Sequence, residues 1–303
     1  HCNLFFSDAA ILVEGNVERL LLPIMIQKVA KTLRSACLCI LEVEGAFGHR
    51  FQSLIEFLGL TTLIVTDIDS VALVVPEADD AVDDEEVEDF EVPADEEEGI
   101  AMQTQDNGQN PAGESMAAPL KKKYGKACLP NEPGAATSNQ TLIKWLPSKL
   151  TIEDLRNASV AEKTHELVDG ARVRVAYQTE RAVTWNGSTE NPCGRTLEED
   201  FGLENPEWSQ AATRKSLGLI VKRGAADPSS LAKGLHQKVS RKNFDKTKFA
   251  LAILTEKEDA WHVPAYIRDG LVWLKDEVRI ELETVLPDVI PNAEAGAIGA
   301  EHE

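Results

Sequence analysis

The chain has 303 residues, 31 Lys+Arg against 51 Asp+Glu, a formal net charge of −20, and 43% hydrophobic against 27% charged residues, ordinary globular usage with length for about two domains. It holds no apolar run of the roughly 18 residues that a membrane span requires and no leader pattern; it begins at His1 rather than Met, as a piece of a longer chain would. Nucleic-acid affinity is built mainly from Lys and Arg, so the mean charge argues against a phosphate-rich partner.

Residues 1–75 carry the clearest pattern. Ala10–Val13 is an apolar run suited to a buried strand; Asn16 follows as a helix cap, and Leu20, Leu21, Ile24 and Val29 continue at helical spacing. Cys37–Val43 predicts a second strand, Glu44–Gly48 a Gly-containing turn, and Phe51, Leu54, Ile55 and Leu58 a second amphipathic helix before a third strand at Thr62–Thr66. The alternation β-α-β-α-β implies a parallel sheet with right-handed crossovers.

Residues 76–137 read as a flexible, low-complexity insertion. Fourteen acidic residues and no basic one lie between Glu77 and Glu98, followed by Gly, Asn, Gln, Pro and Ser through Pro119 and by Lys121-Lys122-Lys123, a composition too polar to offset ordering entropy. Residues 138–165 predict two helices, Asn139–Leu146 and Ile152–His165, the second opened by the capping pattern Thr151-x-x-Asp154. In 166–204, Arg172–Tyr177 alternates as a strand and is expected to join the first sheet as its fourth. Residues 205–285 predict a second, mainly helical and basic domain with apolar faces at Leu217–Val221, Leu231–Val239 and Phe249–Leu254, and 286–303 a disordered tail. From Trp208 to Lys248, ten Lys/Arg stand against Asp227 and Asp245. The charge is therefore bipolar, and the mean misstates it.

The five cysteines, Cys2, Cys37, Cys39, Cys128 and Cys193, are scattered and form no C-x-x-C pair; this points away from zinc and toward a reducing, cytoplasmic compartment. The six histidines are isolated or terminal, and no G-x-x-x-x-G-K-[ST] loop is present.

The chemistry concentrates at strand ends. Strand one runs into Glu14 and Glu18, strand three into Asp67, Asp69 and Ser70, and in a parallel sheet both clusters fall at the carboxyl edge where ligands bind. Asp67 and Asp69, two apart in an extended segment, are expected to point the same way. Crowded carboxylates raise one another's pKa unless a cation neutralises them, and hard divalent cations suit such an oxygen-rich site.

The stretches ILVEGNVE, EVEGAFG and TDIDS resemble a Toprim domain, the metal-binding fold of topoisomerases, primases and several nucleases. The spacing is similar to the C-terminal half of overcoming lysogenization defect (OLD) family nucleases, with further matches at Thr137–Leu146 (TSNQTLIKWL), Arg195–Phe201 (RTLEEDF) and Asp245–Leu254 (DKTKFALAIL). The resemblance implies Glu14 as metal ligand or acid/base residue, with Glu18, Asp67 and Asp69 holding metal. It implies Glu198 as the carboxylate for a second ion, Glu199 being its competitor, and Lys246 as the group that reaches the scissile phosphate, with Lys248 nearby. Val71 stands where some Toprim proteins have a third acid, which places more demand on Glu198.

The implied activity is metal-dependent DNA endonuclease cleavage with two divalent cations, Mg²⁺ or Mn²⁺, and Glu14, Asp67, Asp69 and Lys246 as catalytic residues. Five carboxylates roughly balance two dications, and Lys246 adds a point charge for the transition state. Ser70 is a candidate to orient phosphate or water, or a turn cap. Arg214, Lys215, Lys222, Arg223, Lys238, Arg241 and Lys242 are candidates for a DNA-backbone track without base readout. The resemblance also implies an ATPase domain N-terminal to His1 in the parent chain and allows a homodimer through it. Two other classes stay open. One is a topoisomerase or primase part, which as a topoisomerase would need a nucleophile among Tyr124, Tyr177 and Tyr266. The other is a non-catalytic nucleic-acid-binding module with a structural ion.

Overall fold

A computed structural model describes residues 2–43, 48–73, 124–167, 170–221 and 224–285. Strand β1 (Ala9–Val13) is buried at every position, as a strand covered on both faces must be. It leads through Gly15 into α1 (Asn16–Val29), so the helix cap is Gly15 rather than the expected Asn16. Then come β2 (Leu38–Glu42), α2 (Gln52–Leu58) and β3 (Thr62–Val65), with β1 paired in parallel between β2 and β3.

The chain leaves this sheet through β4 (Ser70–Leu73), β5 (Tyr124–Ala127) and β6 (Ala136–Thr137), an antiparallel sheet in the order β5-β4-β6. Strands β5 and β6 thus lie inside the stretch expected to be a flexible insertion up to 137. The acidic run itself, Lys121–Lys123, the turn at 44–47 and the tail at 286–303 lie outside the described residues.

Helix α3 (Gln140–Trp145) is capped by Asn139, and α4 (Ile152–Arg156) opens with the expected Thr151/Asp154 capping box. The predicted helix to His165 stops at Arg156. Ser159 builds a local turn with Glu162, both its N–H and hydroxyl donating to that carboxylate, and His165 sits in β7 (Thr164–Glu166). Short polar side chains that bond nearby backbone or acids compete with helix in this way. Strand β8 (Arg172–Ala176) pairs in parallel with β3, the expected fourth strand, and antiparallel with β7, giving the order β2-β1-β3-β8-β7.

The hairpin β9 (Val183–Trp185) and β10 (Ser188–Glu190) turns on Asn186-Gly187, both at positive φ, the usual chemistry of a two-residue hairpin. The helices α5 (Leu197–Glu204), α6 (Pro206–Gln210), α7 (Pro228–Val239), α8 (Lys246–Leu254) and α9 (Ala265–Val285) follow. The expected apolar helical face at Leu217–Val221 is absent: a 3-10 turn over Ala212–Leu217 ends at Gly218 in the left-handed region.

The stretch 205–285 is not a separate domain. Phe201, Leu235, Phe249, Ile267 and Leu271 share one buried cluster with Ile11, Val13, Leu63 and Val65 of the sheet and Leu21 and Met25 of α1. Helix α9 lies against β3 and β8, and Gly270 makes that approach possible: a Cβ there would stand 2.9 Å from Leu63 Cδ1. The opposite sheet face, with Leu12, Ile64, Val173 and Val175, is covered by Leu142, Trp145, Ile152 and Leu155 of α3 and α4. The architecture is an α/β Toprim-like sheet, mixed parallel and antiparallel, with flanking helices. Cys37, Cys39, Cys128 and Cys193 are free thiols, and among the described residues no helix is long and apolar enough to cross a membrane.

Candidate metal centre

Glu14 follows the last residue of β1 and Asp67 stands two residues beyond β3, so parallel pairing brings both to one sheet edge. Glu14 Oε1 accepts from the Thr66 hydroxyl, from Asn139 Nδ2 at 2.6 Å and from the Asp67 N–H at 3.2 Å. Asp67 Oδ1 accepts from Gln178 Nε2 at 2.6 Å and from the Leu197 N–H at 3.0 Å.

The segment is not extended through Asp69 as expected. Asp69 has φ 45°, a left-handed conformation that Asp tolerates better than most residues, and this breaks the expected extended alternation. Its Oδ1 meets Arg195 Nη2 at 2.9 Å, while Arg195 Nε donates to the Ser70 carbonyl at 3.0 Å. Helix α5 adds Glu198, 1% exposed, whose Oε2 accepts from the Thr196 hydroxyl and whose Oε1 stands 3.2 Å from Lys246 Nζ.

The electrostatics tie the five acids together. Burial, then Asp69, pushes the Glu14 carboxyl up to about 7 against its hydrogen bonds. Burial holds Asp67 well above the carboxylate range, and the charges of Glu14, Asp69, Glu18 and Glu198 all add to the rise. Burial also raises Glu18, with Glu198 adding and Lys246 opposing, and Asp69, where Arg195 and Lys246 oppose.

Five clustered carboxylates face two cations, Arg195 and Lys246, and this uncompensated donor set fits a hard dication. Among the described residues no three acid, imidazole or thiol donors already surround one point; Asp69 and Glu198 are turned to their cations instead. Glu14, Glu18, Asp67, Asp69 and Glu198 are the residues that would hold metal.

The other expectations divide. Glu199 faces away from the Glu198 position, accepting from the Arg195 N–H at 2.9 Å and pairing with His236 Nδ1 at 2.9 Å. Lys248 Nζ donates to the Ser216 carbonyl at 3.0 Å, so it is Lys246 that reaches the acids. Ser70 is fully buried in β4 and gives its hydroxyl to the Cys128 carbonyl at 2.6 Å, which turns it away from any phosphate. Arg214 pairs with Glu256 at 2.5 Å and stacks over Trp208, a structural engagement rather than an open backbone contact. Lys222 and Arg223 lie outside the described residues. Lys215, Lys238, Arg241 and Lys248 line a pocket of about 400 Å³ beside the start of α8; Lys242 is exposed in the turn before that helix.

Residue reasoning missed the neutral and cationic groups that hold the acids: Thr66, Asn139, Gln178 and Arg195. Asn139 and Arg195 sit inside stretches that carry the family resemblance, and Gln178 follows a strand parallel to β3, so its place at the same edge was the available signal.

Residues 5–69 match the family described as overcoming lysogenization defect protein-like, TOPRIM domain. Over that stretch the chain resembles an OLD-like Toprim domain. It is 26% identical over 287 residues to Endonuclease GajA of Bacillus cereus (strain HuB5-5), an alignment spanning 92% of this chain and 33% of that protein. The chain thus spans about a third of that relative. Two solved structures are similar. One is the C-terminal region of the Burkholderia pseudomallei OLD protein, 16% identical with TM-score 0.40, covering 90% of this chain and 99% of that one. The other is the C-terminal region of the Xanthomonas campestris pv. campestris OLD protein, 17% identical with TM-score 0.42, covering 92% and 99%. The Toprim match ends at Asp69; Asn139, Gln178, Arg195, Glu198 and Lys246 are brought to it by the fold.

Proposed function

We propose that the chain carries the catalytic centre of a divalent-metal-dependent DNA endonuclease. The observation that supports this most is the convergence of Glu14, Glu18, Asp67, Asp69 and Glu198 with the half-exposed side chain of Lys246. Two ions, Mg²⁺ or Mn²⁺, would supply an activated water and neutralise charge on the phosphoryl and leaving oxygens. Glu14 and Asp67 would each offer the oxygen that is not already hydrogen bonded, and Asp69 and Glu198 would offer theirs once released from Arg195 and Lys246. Lys246, so freed, would donate to the phosphate oxygens where negative charge develops.

The pocket at Lys215, Lys238, Arg241 and Lys248 supports backbone contacts on the approach to Lys246. Tyr177 and Tyr266 are buried, the first donating to the Leu155 carbonyl and the second bonded to Gln178, which counts against either as a topoisomerase nucleophile. DNA in the cytoplasm as substrate, an ATPase domain elsewhere in a parent chain, and a homodimer built through it complete the reading.

Conversion of supercoiled plasmid to nicked and linear forms, with Mg²⁺, Mn²⁺ or EDTA, tests it. The wild type should cut only with the ions, and Asp67→Ala and Glu14→Ala should fold yet not cut. Undiminished Mg²⁺-dependent nicking by Asp67→Ala would exclude this site.

A further inference from the structure

We infer that Gln178 and Asn139 are positioning residues that hold Asp67 and Glu14 as one-oxygen ligands, so that the centre selects Mg²⁺ or Mn²⁺ over Ca²⁺. The inference rests on the proposed metal-dependent reading of the site. Its ground is the unequal use of the two oxygens of each carboxylate.

Gln178 is fully buried just beyond β8. Its Oε1 accepts the Ile68 N–H at 2.8 Å, and since only an oxygen can accept there, the amide is oriented with Nε2 toward Asp67. That nitrogen donates to Asp67 Oδ1 at 2.6 Å, with the Tyr266 hydroxyl at 3.2 Å behind it. The Leu197 N–H, at 3.0 Å, is a second donor to the same oxygen. Two fixed donors use up Oδ1 and leave Oδ2 for a ligand.

Glu14 is held the same way. Asn139 is fully buried, and its Oδ1 accepts the N–H groups of Thr141 and Leu142 at 2.9 and 3.3 Å as the cap of α3. With the oxygen so engaged, Nδ2 faces Glu14 Oε1 at 2.6 Å. The same nitrogen lies 2.8 Å from the Asp67 carbonyl and 2.8 Å from the Thr66 hydroxyl. The Asp67 N–H and the Thr66 hydroxyl complete three donors on that one Glu14 oxygen.

A carboxylate with one oxygen tied down binds a cation through the other. Mg²⁺ accepts this, since it takes a few carboxylates and several waters in near-octahedral order, whereas Ca²⁺ takes more oxygens and uses carboxylates through one or both. Two-oxygen ligation here would strip buried donors of their acceptor, and the rigid amides resist it. Groups behind the ligands commonly change metal affinity about 10–100-fold.

Mn²⁺ binding followed by electron paramagnetic resonance, with Mg²⁺ and Ca²⁺ as competitors and no DNA present, tests this without reference to cleavage. Gln178→Met keeps length and removes the donor; Asn139→Ser keeps a capping oxygen and removes the other donor, so that one variant remains if the other does not fold, as judged by circular dichroism in EDTA. In a folded variant, Mg²⁺ and Mn²⁺ binding should weaken about tenfold with Ca²⁺ little changed, so that discrimination falls about tenfold. Equal weakening of all three ions, or constants matching the wild type, would overturn the inference alone. A wild type that binds no Mn²⁺ would overturn the metal-centre reading and the inference together.

Discussion

Lys246 Nζ stands 3.2 Å from Glu198 Oε1, while Lys248, two residues on, is spent on a backbone carbonyl of the neighbouring turn. Burial would lower the Lys246 pKa, but Glu198, Asp67 and Glu18 together outweigh it and the net shift is upward, so the ammonium stays charged across the neutral range. Lys246→Met is expected to lower the single-turnover rate of plasmid cleavage by about 10²–10³, the loss seen when one transition-state donor is removed, with Mn²⁺ binding retained. Lys248→Met should leave the rate near wild type. The opposite pattern in quench-flow rates would transfer the role.

The sheet edge was legible because two independent signals coincide there. Apolar runs of strand length end at Val13 and Val65, and each is followed at once by acids. The backbone at Asp69 departs from extended alternation because the residue is left-handed, and Asp leaves no compositional trace of that conformation. Asn139 and Gln178 were opaque for another reason. Neutral amides are common in loops, and only the pairing of β3 with β8 and of β4 with β6 carries these two, distant in sequence, to Glu14 and Asp67. Of the apolar helical faces expected after Asn205, Leu231–Val239 and Phe249–Leu254 lie in α7 and α8 while Leu217–Val221 is not helical, and an apolar face does not say which surface it covers; the close approach of Gly270 to Leu63 shows that α9 covers the sheet.

Glu14 gives a pH dependence for the metal-free protein. Its carboxyl is raised from 4.5 to about 7, burial being the largest cause. Between those values the folded chain binds more protons than the unfolded one, so stability falls as pH rises. This contribution is fully present below about 4.5 and lost once pH passes about 7. Melting temperatures in EDTA should therefore drop across this window more steeply for the wild type than for Glu14→Gln, which has no proton to lose. Equal slopes for the two proteins would remove Glu14 as the source.

The loop before α5 has no room for a side chain. A Cβ on Gly194 would lie 2.5 Å from the Asp200 nitrogen and 2.8 Å from its Cα, backbone atoms of the helix that carries Glu198. Gly194→Ala must push α5 outward, and overpacking of this kind costs about 1–3 kcal/mol. Urea denaturation should show that loss. Because the displaced helix also carries Glu198, Mn²⁺ binding should weaken in parallel; unchanged urea midpoints would mean that the loop yields without moving α5.

The basic pocket leads to a prediction on salt. Lys215 and Arg241 line it with Lys238 and Lys248, against the acid of Asp245. Phosphate contacts release counterions, and each one lost reduces the slope of log affinity against log salt by about 0.9 on duplex DNA. Lys215→Ala combined with Arg241→Ala should therefore weaken binding evenly across DNA sequences and flatten the slope by about two units. Arg214→Ala serves as the contrast. Its guanidinium is engaged by Glu256 and stacked 4.7 Å from the Trp208 ring centroid, so its loss should lower the melting temperature and leave the salt slope unchanged. Fluorescence anisotropy over a salt series, run in Ca²⁺ to hold DNA uncut, separates the two; a slope unaffected by the double substitution would place the DNA path away from this pocket.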